Sequence, residues 1–393
     1  MIRELVIPVL AVAMVLYASP LFFDLALCLA GNLVPARRQR KPAVQAIRLA
    51  AIVPAHDEET MIARTVRSLL AADPTLPVYV VAHNCTDHTA TLAAEAGAQV
   101  LELNDPNLRG KASALRHAIL AALASGANAV LVIDADSVVS SNLIAATAAA
   151  LSQGAAATQC RYELDLPAHP KPRPLPRLRA LAFRGINVLR ARGRARLGLS
   201  AGLFGNGFAL AASTLARIPF SADSIAEDIE YHIKLVAAGL KVDWVEEARV
   251  SAPLAPAGYV QAKQEARWEG GKLRVALNCS GLLVSAILRG NLRAVEMLAE
   301  VWAVPLSRGV FTLILSAFVP LHWLHQWALL CAAITLLYVV ATVLMGDDPA
   351  SDLLALAAAP IHILWKAAIT PLVLRQSRRR AAWDRTRREV QEP

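Results

Sequence analysis

The stretch AVLVIDADS (residues 129–137) decides the fold class, because a fully apolar run ends abruptly in two carboxylates. Three earlier segments are also strand candidates: LAAIVPAH (49–56) and VYVVAH (78–83), which both end in histidine, and AQVLEL (98–103). Strands buried on both faces of a parallel sheet read as continuous apolar runs. Between these runs lie helical patterns, which begin near Glu59, Thr86 and Lys111. The alternation predicts an α/β domain with a mainly parallel, Rossmann-like sheet.

The polar residues after the strands mark the expected ligand site, since open α/β sheets bind ligands at the carboxyl ends of their strands. These clusters are HDEE (56–59), HNCTD (83–87) and DADS (134–137). Asp134 and Asp136 could jointly hold one divalent cation, because carboxylates and phosphate oxygens are ligands that Mg²⁺ prefers. The alternative is an ordinary turn that caps a helix starting at Ser137.

The composition indicates membrane segments around a folded centre. The chain has 393 residues, and 56% are hydrophobic, which is too apolar for an ordinary soluble enzyme. The apolar residues concentrate in residues 5–34 and after residue 300, while the charged middle is long enough to bury its own core. The net charge is +9, but the basic clusters border apolar runs and no nucleic-acid-binding motif is present. Nucleic acid is therefore not expected as a partner.

The five cysteines are scattered, without CxxC or Cys/His spacing, so neither a zinc site nor a disulfide framework is indicated.

The first apolar run is predicted to be a retained membrane anchor. Residues 5–31 are long enough to span a bilayer, and Pro20 and Asp24 predict a kink. A cleaved signal peptide is disfavoured, because the run is too long and opens with both Arg3 and Glu4. The basic block that follows, from Arg37 to Lys41, predicts that the middle domain is cytosolic.

The three later apolar runs (303–320, 323–344 and 353–374) end in an arginine-rich tail. If the tail is also cytosolic, one run cannot cross the membrane. We expect residues 353–374 to be re-entrant or interfacial, because they contain Lys366 and two prolines. The less favoured solution is a partial span at residues 303–320, which contain Pro305 and Arg308.

The predicted organisation has five parts. They are an anchor at 1–34, the α/β domain at 46–275, interfacial helices at 276–302, transmembrane or re-entrant helices at 303–374, and a basic cytosolic tail at 375–393. Within the α/β domain, residues 171–196 combine leucines at helical spacing with seven arginines between Arg177 and Arg196. This pattern fits either an amphipathic helix on an anionic membrane surface or a solvated basic loop.

Four further motifs could carry chemistry, and each has an ordinary structural alternative. Glu227 and Asp228 open a helical run, where acids favour the helix dipole or could supply a general base. The segment QEARW places Gln264, Arg267 and Trp268 at a spacing suited to phosphate binding and sugar stacking, or to the membrane edge. Lys111 at a helix start suits phosphate contact. The turn Gly205-Asn206-Gly207 allows close approach of a ligand to the backbone.

The order of the motifs resembles that of the family-2 glycosyltransferases, whose catalytic domain has the GT-A fold. The motifs are IVPAHDEE, VVAHNCTD, GKASAL, DAD, GNG, AED and QEARW, which cover residues 50 to about 275. QEARW resembles the Q(Q/R)xRW signature of the membrane synthases, and the tail around Trp383 and Arg385 resembles that of bacterial exopolysaccharide-type members. The resemblance implies an inverting transfer from a nucleotide-diphosphate sugar, with UDP expected as the nucleotide, to a glycan or lipid acceptor. It also implies a bacterial inner-membrane protein that uses Mg²⁺ or Mn²⁺.

The resemblance also implies roles for individual residues. Asp228 matches the catalytic base, with Glu227 beside it, and Gly205, Asn206 and Gly207 fall on the acceptor side. Asp134 and Asp136 match the metal and nucleotide ligands. The other residues implied in donor binding are Pro54, Glu58, His83, Lys111, Gln264, Arg267 and Trp268.

Three positions depart from the family pattern. His83 stands where an Asp usually contacts the base, Asp57 replaces an Asn, and Ala226 replaces a Thr. A neutral histidine can still donate or accept a hydrogen bond, so donor binding is not excluded, although uridine specificity is weakened.

Three other functions are alternatives to the transfer of a single sugar. A processive β-glycan synthase shares QEARW, but about four apolar runs are few for a dedicated channel. A non-catalytic partner subunit, suggested by His83, is disfavoured because Asp136, Asp228 and Trp268 are all present. A transporter should carry more polar residues in its spans. The sequence does not indicate the oligomeric state.

Overall fold

The computed structural model describes residues 2–36, 46–108, 110–166, 174–222, 224–254 and 258–378. The predicted basic block at 37–41 and the predicted tail from residue 379 onward lie outside these ranges. In the described chain, eight strands form one sheet: β1 (Leu49–Ala55), β2 (Val78–His83), β3 (Gln99–Leu103), β4 (Ala129–Val132), β5 (Val138–Val139), β6 (Ala157–Asp165), β7 (Phe208–Ala211) and β8 (Val242–Pro253).

The strand order is β3-β2-β1-β4-β7-β6-β8-β5. The first four strands of this order are parallel, and β7 runs antiparallel to its neighbours β4 and β6. The α/β fold with a mainly parallel sheet, predicted from the apolar runs, is confirmed. Because β1 and β4 lie side by side in parallel, the polar residues that follow both strands share one edge of the sheet.

The helices are numbered along the chain. Up to the end of β7 they are α1 (Ile2–Leu33), α2 (Ile62–Ala72), α3 (Thr89–Glu95), α4 (Lys111–Ala124), α5 (Leu143–Ser152), α6 (Pro174–Arg184) and α7 (Ala191–Arg196). After β7 come α8 (Ala212–Arg217), α9 (Glu227–Ala237), α10 (Tyr259–Leu288), α11 (Arg293–Trp302), α12 (Leu306–Ser316), α13 (His322–Leu344), α14 (Pro349–Ala355), α15 (Ala359–Ala368) and α16 (Thr370–Ser377).

Two hydrophobic cores lie on the two faces of the sheet. Successive side chains of a strand point to opposite faces, so Ala51 and Val53 of β1 join one core with α2 and α5. Ala50 and Ile52 join the other core with α4, α8 and α9. Burial on both faces explains why these strands are apolar throughout, and it fixes the positions of the loops at the strand ends.

Residues 174–196 lie inside the protein, where a π-helical turn (Gly185–Arg190) joins α6 to α7. Five arginines of this segment pair with carboxylates of other elements: Arg177 and Arg184 with Asp352, Arg190 with Asp24 and Glu300, Arg192 with Glu246, and Arg194 with Glu296 and Glu300. Buried charges are stable only when paired, and these pairs join the π-helical turn to α1 and both the turn and α7 to α11. Neither the membrane-surface helix nor the solvated loop expected from the sequence is correct.

Among the described residues, three helical segments are long and apolar enough to cross a membrane: Val6–Leu33, Val260–Leu288 and His322–Leu344. The predicted run at 303–320 forms α12, whose 11 residues extend only about 16 Å, roughly half of a bilayer core. The run at 353–374 is broken into α14, α15 and α16, with a bend of 45° before α16. The predicted interfacial segment at 276–302 forms the end of α10 and all of α11, which pack against α9.

Candidate active site

A cavity of about 1420 Å³ opens at the carboxyl edge of the sheet. Asp134 and Asp136, which follow β4, line its wall. The backbone N–H of Asp134 donates to Asn206 Oδ1 at 3.0 Å, and the Ser137 hydroxyl donates to Asp136 Oδ1 at 3.2 Å. Asn206 Nδ2 in turn donates to Ser137 Oγ at 2.8 Å. Asn206 therefore orients the backbone of one carboxylate and the hydrogen-bond partner of the other.

The turn that carries Asn206 is held by Gln159, which is fully buried in β6. Gln159 Oε1 accepts from the Phe204 N–H at 3.0 Å, and Nε2 donates to the Asn206 carbonyl at 2.7 Å. Gly207 has φ +71°, and a Cβ there would lie 2.4 Å from Cys160 Sγ, so the turn needs glycine. The Gly205-Asn206-Gly207 turn thus supports the two aspartates, in addition to any contact with an acceptor.

Sequence reasoning missed Gln159 and Ser137. An available signal was the glutamine inside ATQC, since a polar residue in the middle of a buried strand needs hydrogen-bond partners.

Lys111 begins α4 and reaches into the same site. Its Nζ lies 2.5 Å from Asp134 Oδ1, 2.6 Å from the Gly205 carbonyl oxygen and 4.0 Å from Glu227 Oε1. Burial works to lower the pKa of Lys111, but Asp134 and Glu227 outweigh it and the pKa is raised. The lysine is therefore a permanent cation between the two groups of acids.

Glu227 and Asp228 stand at the start of α9, facing Lys111 and Gly205. Asp228 Oδ1 accepts from the Ile229 N–H at 2.8 Å, and a Cβ on Gly205 would lie 3.1 Å from Asp228 Oδ2. Burial raises the pKa of Glu227 to about 7, against the opposing effect of Lys111. Burial also raises the pKa of Asp228, while the Ile229 N–H and Lys111 lower it. Raised carboxyl pKa values suit proton acceptance near neutral pH.

QEARW forms part of α10, and Gln264, Arg267 and Trp268 all line the cavity. Trp268 is 47% exposed, so its ring face is available to a ligand. Pro54, near the end of β1, and Glu58, which follows the strand, line the cavity as well.

His83 lies apart from this group. It is buried, it does not line the cavity, and its Nε2 contacts the Leu108 carbonyl oxygen at 2.7 Å. Burial lowers the pKa of His83, so the ring is neutral at physiological pH. The contact joins the end of β2 to the loop before Lys111. The predicted site residues therefore all line the cavity except three: His83, and Asn206 and Gly207, which are buried behind Gly205.

Comparison with known proteins identifies the family. A family model described as "Glycosyltransferase like family 2" matches residues 47–271, more than half of the chain. The chain belongs to this glycosyltransferase family. The predicted family is thereby confirmed, and the protein is a glycosyltransferase. A search of curated proteins found no match.

Among solved structures, the glycosyltransferase is similar to the mannosyltransferase PcManGT from Pyrobaculum calidifontis, solved in complex with GDP-Man and Mn²⁺. The two are 18% identical with a TM-score of 0.58, over 94% of this chain and 97% of that one. Glucosyl-3-phosphoglycerate synthase from Mycobacterium tuberculosis, solved with Mn²⁺, UDP and phosphoglyceric acid, is 20% identical with a TM-score of 0.38, over 53% and 72% of the chains. The first likeness agrees with the predicted GT-A fold.

In the described part of the chain, a metal ion could approach Asp57, Cys85 and Asp87 or the pair Asp134 and Asp136. Asp57, Cys85 and Asp87 lie together, but none of them lines the cavity. Asp57 Oδ1 accepts from the Thr86 N–H at 2.6 Å and Asp87 Oδ1 from the Thr89 N–H at 3.0 Å, so these carboxylates hold a loop. Asp134 and Asp136 present hard oxygen ligands to the cavity, which is the donor set that fits Mg²⁺ or Mn²⁺.

The far arm of the cavity lies among the helices that flank the α/β domain, and its lining combines apolar side chains with the charged residues Asp24, Arg179 and Arg308. Leu21 of α1, Leu181 of α6, Val310 of α12 and Val339 of α13 all line it. The carboxylates of Asp134 and Asp228 and these apolar side chains therefore belong to the wall of one space.

Proposed function

We propose that this glycosyltransferase is an inverting, membrane-bound enzyme that transfers a sugar from a nucleotide-diphosphate donor to a hydroxyl group of a membrane lipid. The reaction would take place at the cytosolic face of the membrane, which in a bacterium is the inner membrane. The observation that carries this proposal is that the acidic site and the arm between the flanking helices belong to one and the same cavity.

The donor diphosphate would lie between Asp134, Asp136 and Lys111. Asp134 and Asp136 would hold Mg²⁺ or Mn²⁺, which would neutralise charge on the departing diphosphate. Lys111 pairs with Asp134 and would contact phosphate from the start of α4. Arg267 and Trp268, which line the same cavity, would contact phosphate and sugar. PcManGT, solved with GDP-Man and Mn²⁺, supports a metal-bound nucleotide sugar as the donor class.

The acceptor hydroxyl would lose its proton to Asp228. The burial that raises the pKa of Asp228 and Glu227 makes this pair a stronger base than an exposed carboxylate. The oxygen would attack the anomeric carbon opposite the leaving diphosphate, so an α-linked donor would give a β-linked product. Gly205 leaves room beside Asp228 for the hydroxyl, because any side chain there would crowd the carboxylate.

A lipid acceptor fits this arm better than a glycan does. A sugar chain presents hydroxyl groups on every side and needs polar partners along its path. The arm offers leucine and valine side chains from α1, α6, α12 and α13, and its charged groups are Asp24, Arg179 and Arg308 on three of these helices. The three candidate spans would keep this arm within the membrane.

The test uses the purified protein in liposomes made from a bacterial membrane lipid extract. Each of a panel of nucleotide sugars, labelled in the sugar, would be added with Mn²⁺. Release of nucleotide diphosphate and appearance of label in the organic phase would both be measured, with Asp228→Asn as the control. Label that enters the organic phase with one donor supports the proposal. Release of nucleotide with all label left in water-soluble glycan would show that the acceptor is not a lipid.

A further inference from the structure

A second, smaller cavity of about 320 Å³ lies between α1, α12 and the α15–α16 segment. Five of its lining residues also line the main cavity: Tyr17, Ser307, Arg308, Ile363 and Thr370. The two spaces therefore meet along a shared wall, and we call the smaller one the side opening. Phe311, Thr312 and Ala367 complete its lining.

The helices that form the side opening also expose large apolar side chains. Leu16 of α1 is 70% exposed, Phe318 just after α12 is 80% exposed, and Ile361 of α15 is 70% exposed. Large exposed apolar areas mark contact with a membrane or a partner. α1 is one of the candidate membrane spans, so the surroundings of the opening match the hydrocarbon of a bilayer.

The inner boundary of the side opening is charged. Glu269 of α10 pairs with Arg308 of α12 at 2.6 Å and with Lys366 of α15 at 2.6 Å. Lys366 also pairs with Glu265, one turn earlier on α10. Glu269 directly follows Trp268 of QEARW. The side opening thus contains apolar side chains at Phe311, Ile363 and Ala367 and one charged side chain at Arg308, whose partner Glu269 lines the main cavity next to the active site.

This polarity matches an amphiphile whose polar end points inward. Transfer of a hydrocarbon tail from the bilayer to apolar side chains costs little free energy. A polar head group, in contrast, needs hydrogen-bond partners such as those around Glu269. We propose that the acceptor lipid enters sideways between α1, α12 and α15, and that its tail stays in the side opening while its hydroxyl group lies at Asp228. This inference rests on the proposed function, and it adds the route and the resting place of the tail.

Ala367 gives a direct test. It lines the side opening but not the main cavity, and it is half-buried. Its neighbour Ala368 is exposed and lines neither space. Ala367→Trp fills the opening, while Ala368→Trp adds the same side chain outside it and serves as the matched control.

We expect Ala367→Trp to lower transfer of label into the organic phase by about tenfold or more, because a filled site accepts added volume poorly. Acceptor-independent hydrolysis of the nucleotide sugar should stay at the wild-type rate, which shows that the variant is folded. Ala368→Trp should match the wild type in both assays. Equal lipid transfer by the two tryptophan variants would overturn the route and leave the proposed function standing. Failure of the wild type to label any lipid would overturn both.

A second measurement does not depend on turnover. The wild type and both variants in liposomes would be irradiated with hexadecanol that carries a diazirine in mid-chain, and the adducts would be located by mass spectrometry. Adducts on α12 and α15 that disappear in Ala367→Trp and persist in Ala368→Trp would support the inference. Adducts that are the same in both variants would contradict it.

Discussion

Lys111 Nζ lies 2.5 Å from Asp134 Oδ1, so a cation and a carboxylate that were both expected to contact the donor diphosphate contact each other. The lysine also holds the Gly205 carbonyl oxygen at 2.6 Å. One side chain thereby joins the strand end, the glycine turn and the helix that carries Asp228. Binding of a metal ion to Asp134 has to compete with Lys111, whereas binding of phosphate gains from it.

Lys111→Ala should therefore raise the affinity for a metal ion and lower the affinity for a nucleotide. Mn²⁺ alone should bind about two- to fivefold more tightly, the equivalent of a partly exposed ion pair. UDP or GDP in the presence of Mn²⁺ should bind more weakly, because a phosphate contact is lost. Titration calorimetry measures both affinities. Lys241→Ala, which removes a pair with Asp243 outside the cavity, is the control, and weaker binding of both ligands would contradict the competition.

Asp228→Asn should cut turnover by about 10²–10⁴, the usual contribution of a general base, while donor affinity stays nearly unchanged. The amide keeps the size of the side chain but cannot take the proton from the acceptor. Glu230→Gln is the matched control on α9, because Glu230 pairs with Lys234 and does not line the cavity. Wild-type turnover in Asp228→Asn would remove this residue from the reaction.

Glu227→Gln should make the protein more stable at pH 8 relative to the wild type. Burial raises the pKa of Glu227 to about 7, so the folded state holds this proton more tightly than the unfolded state does. The resulting stability is complete at acid pH and is lost as the pH rises from the ordinary glutamate range through about 7. Glutamine cannot ionise and avoids this loss.

The measurement is the melting temperature of both proteins in detergent between pH 4 and pH 8. The advantage of Glu227→Gln should grow across this range, by roughly 2–4 °C for each kcal/mol. An advantage that does not change with pH would show that the carboxyl group has an ordinary pKa.

Asp136→Ala should abolish the part of nucleotide binding that depends on a divalent ion, since one of the two carboxylates that face the cavity is lost. Calorimetry with and without chelator would measure that part. Cys85→Ala tests the rival group of Asp57, Cys85 and Asp87 and should leave metal dependence unchanged. The reverse result would place the ion at the rival group.

Asn206→Ala should weaken Mn²⁺ binding by about 10- to 100-fold, as is usual for groups that orient metal ligands. The variant removes the contacts to the Asp134 N–H and the Ser137 hydroxyl without touching either carboxylate. Electron paramagnetic resonance of Mn²⁺ reports affinity without turnover. Asn142→Ala, which removes a contact to the Glu247 carbonyl, controls for lost stability, and equal Mn²⁺ affinity in both variants would contradict the positioning role.

Some predictions from the sequence could not be correct without knowledge of side-chain partners that come from other parts of the chain. The segment 171–196 was predicted to be either a helix on the membrane surface or a solvated basic loop. In its described part, residues 174–196, neither prediction is correct, because the arginines pair with Asp24, Glu300 and Asp352 from distant helices. His83 stands at a position that implied donor binding, but the loop at Leu108 folds over it. The turn at Asn206 was expected on the acceptor side, and its hydrogen bonds to the DADS turn became visible only in three dimensions.

The sequence by itself determined the α/β fold, the polar clusters that follow its strands and the kinds of side chain present at the site. These properties are local: strand burial shows as apolar runs, and catalytic groups follow where the runs stop. Only the tertiary structure decided which carboxylate Lys111 contacts and how Gln159 and Asn206 support the aspartates. It alone revealed that the acidic site opens into an arm between α1, α12, α13 and α15. The physical reason is that cavities and ion pairs depend on how strands, turns and helices from different parts of the chain are placed relative to one another, and no local pattern records that placement.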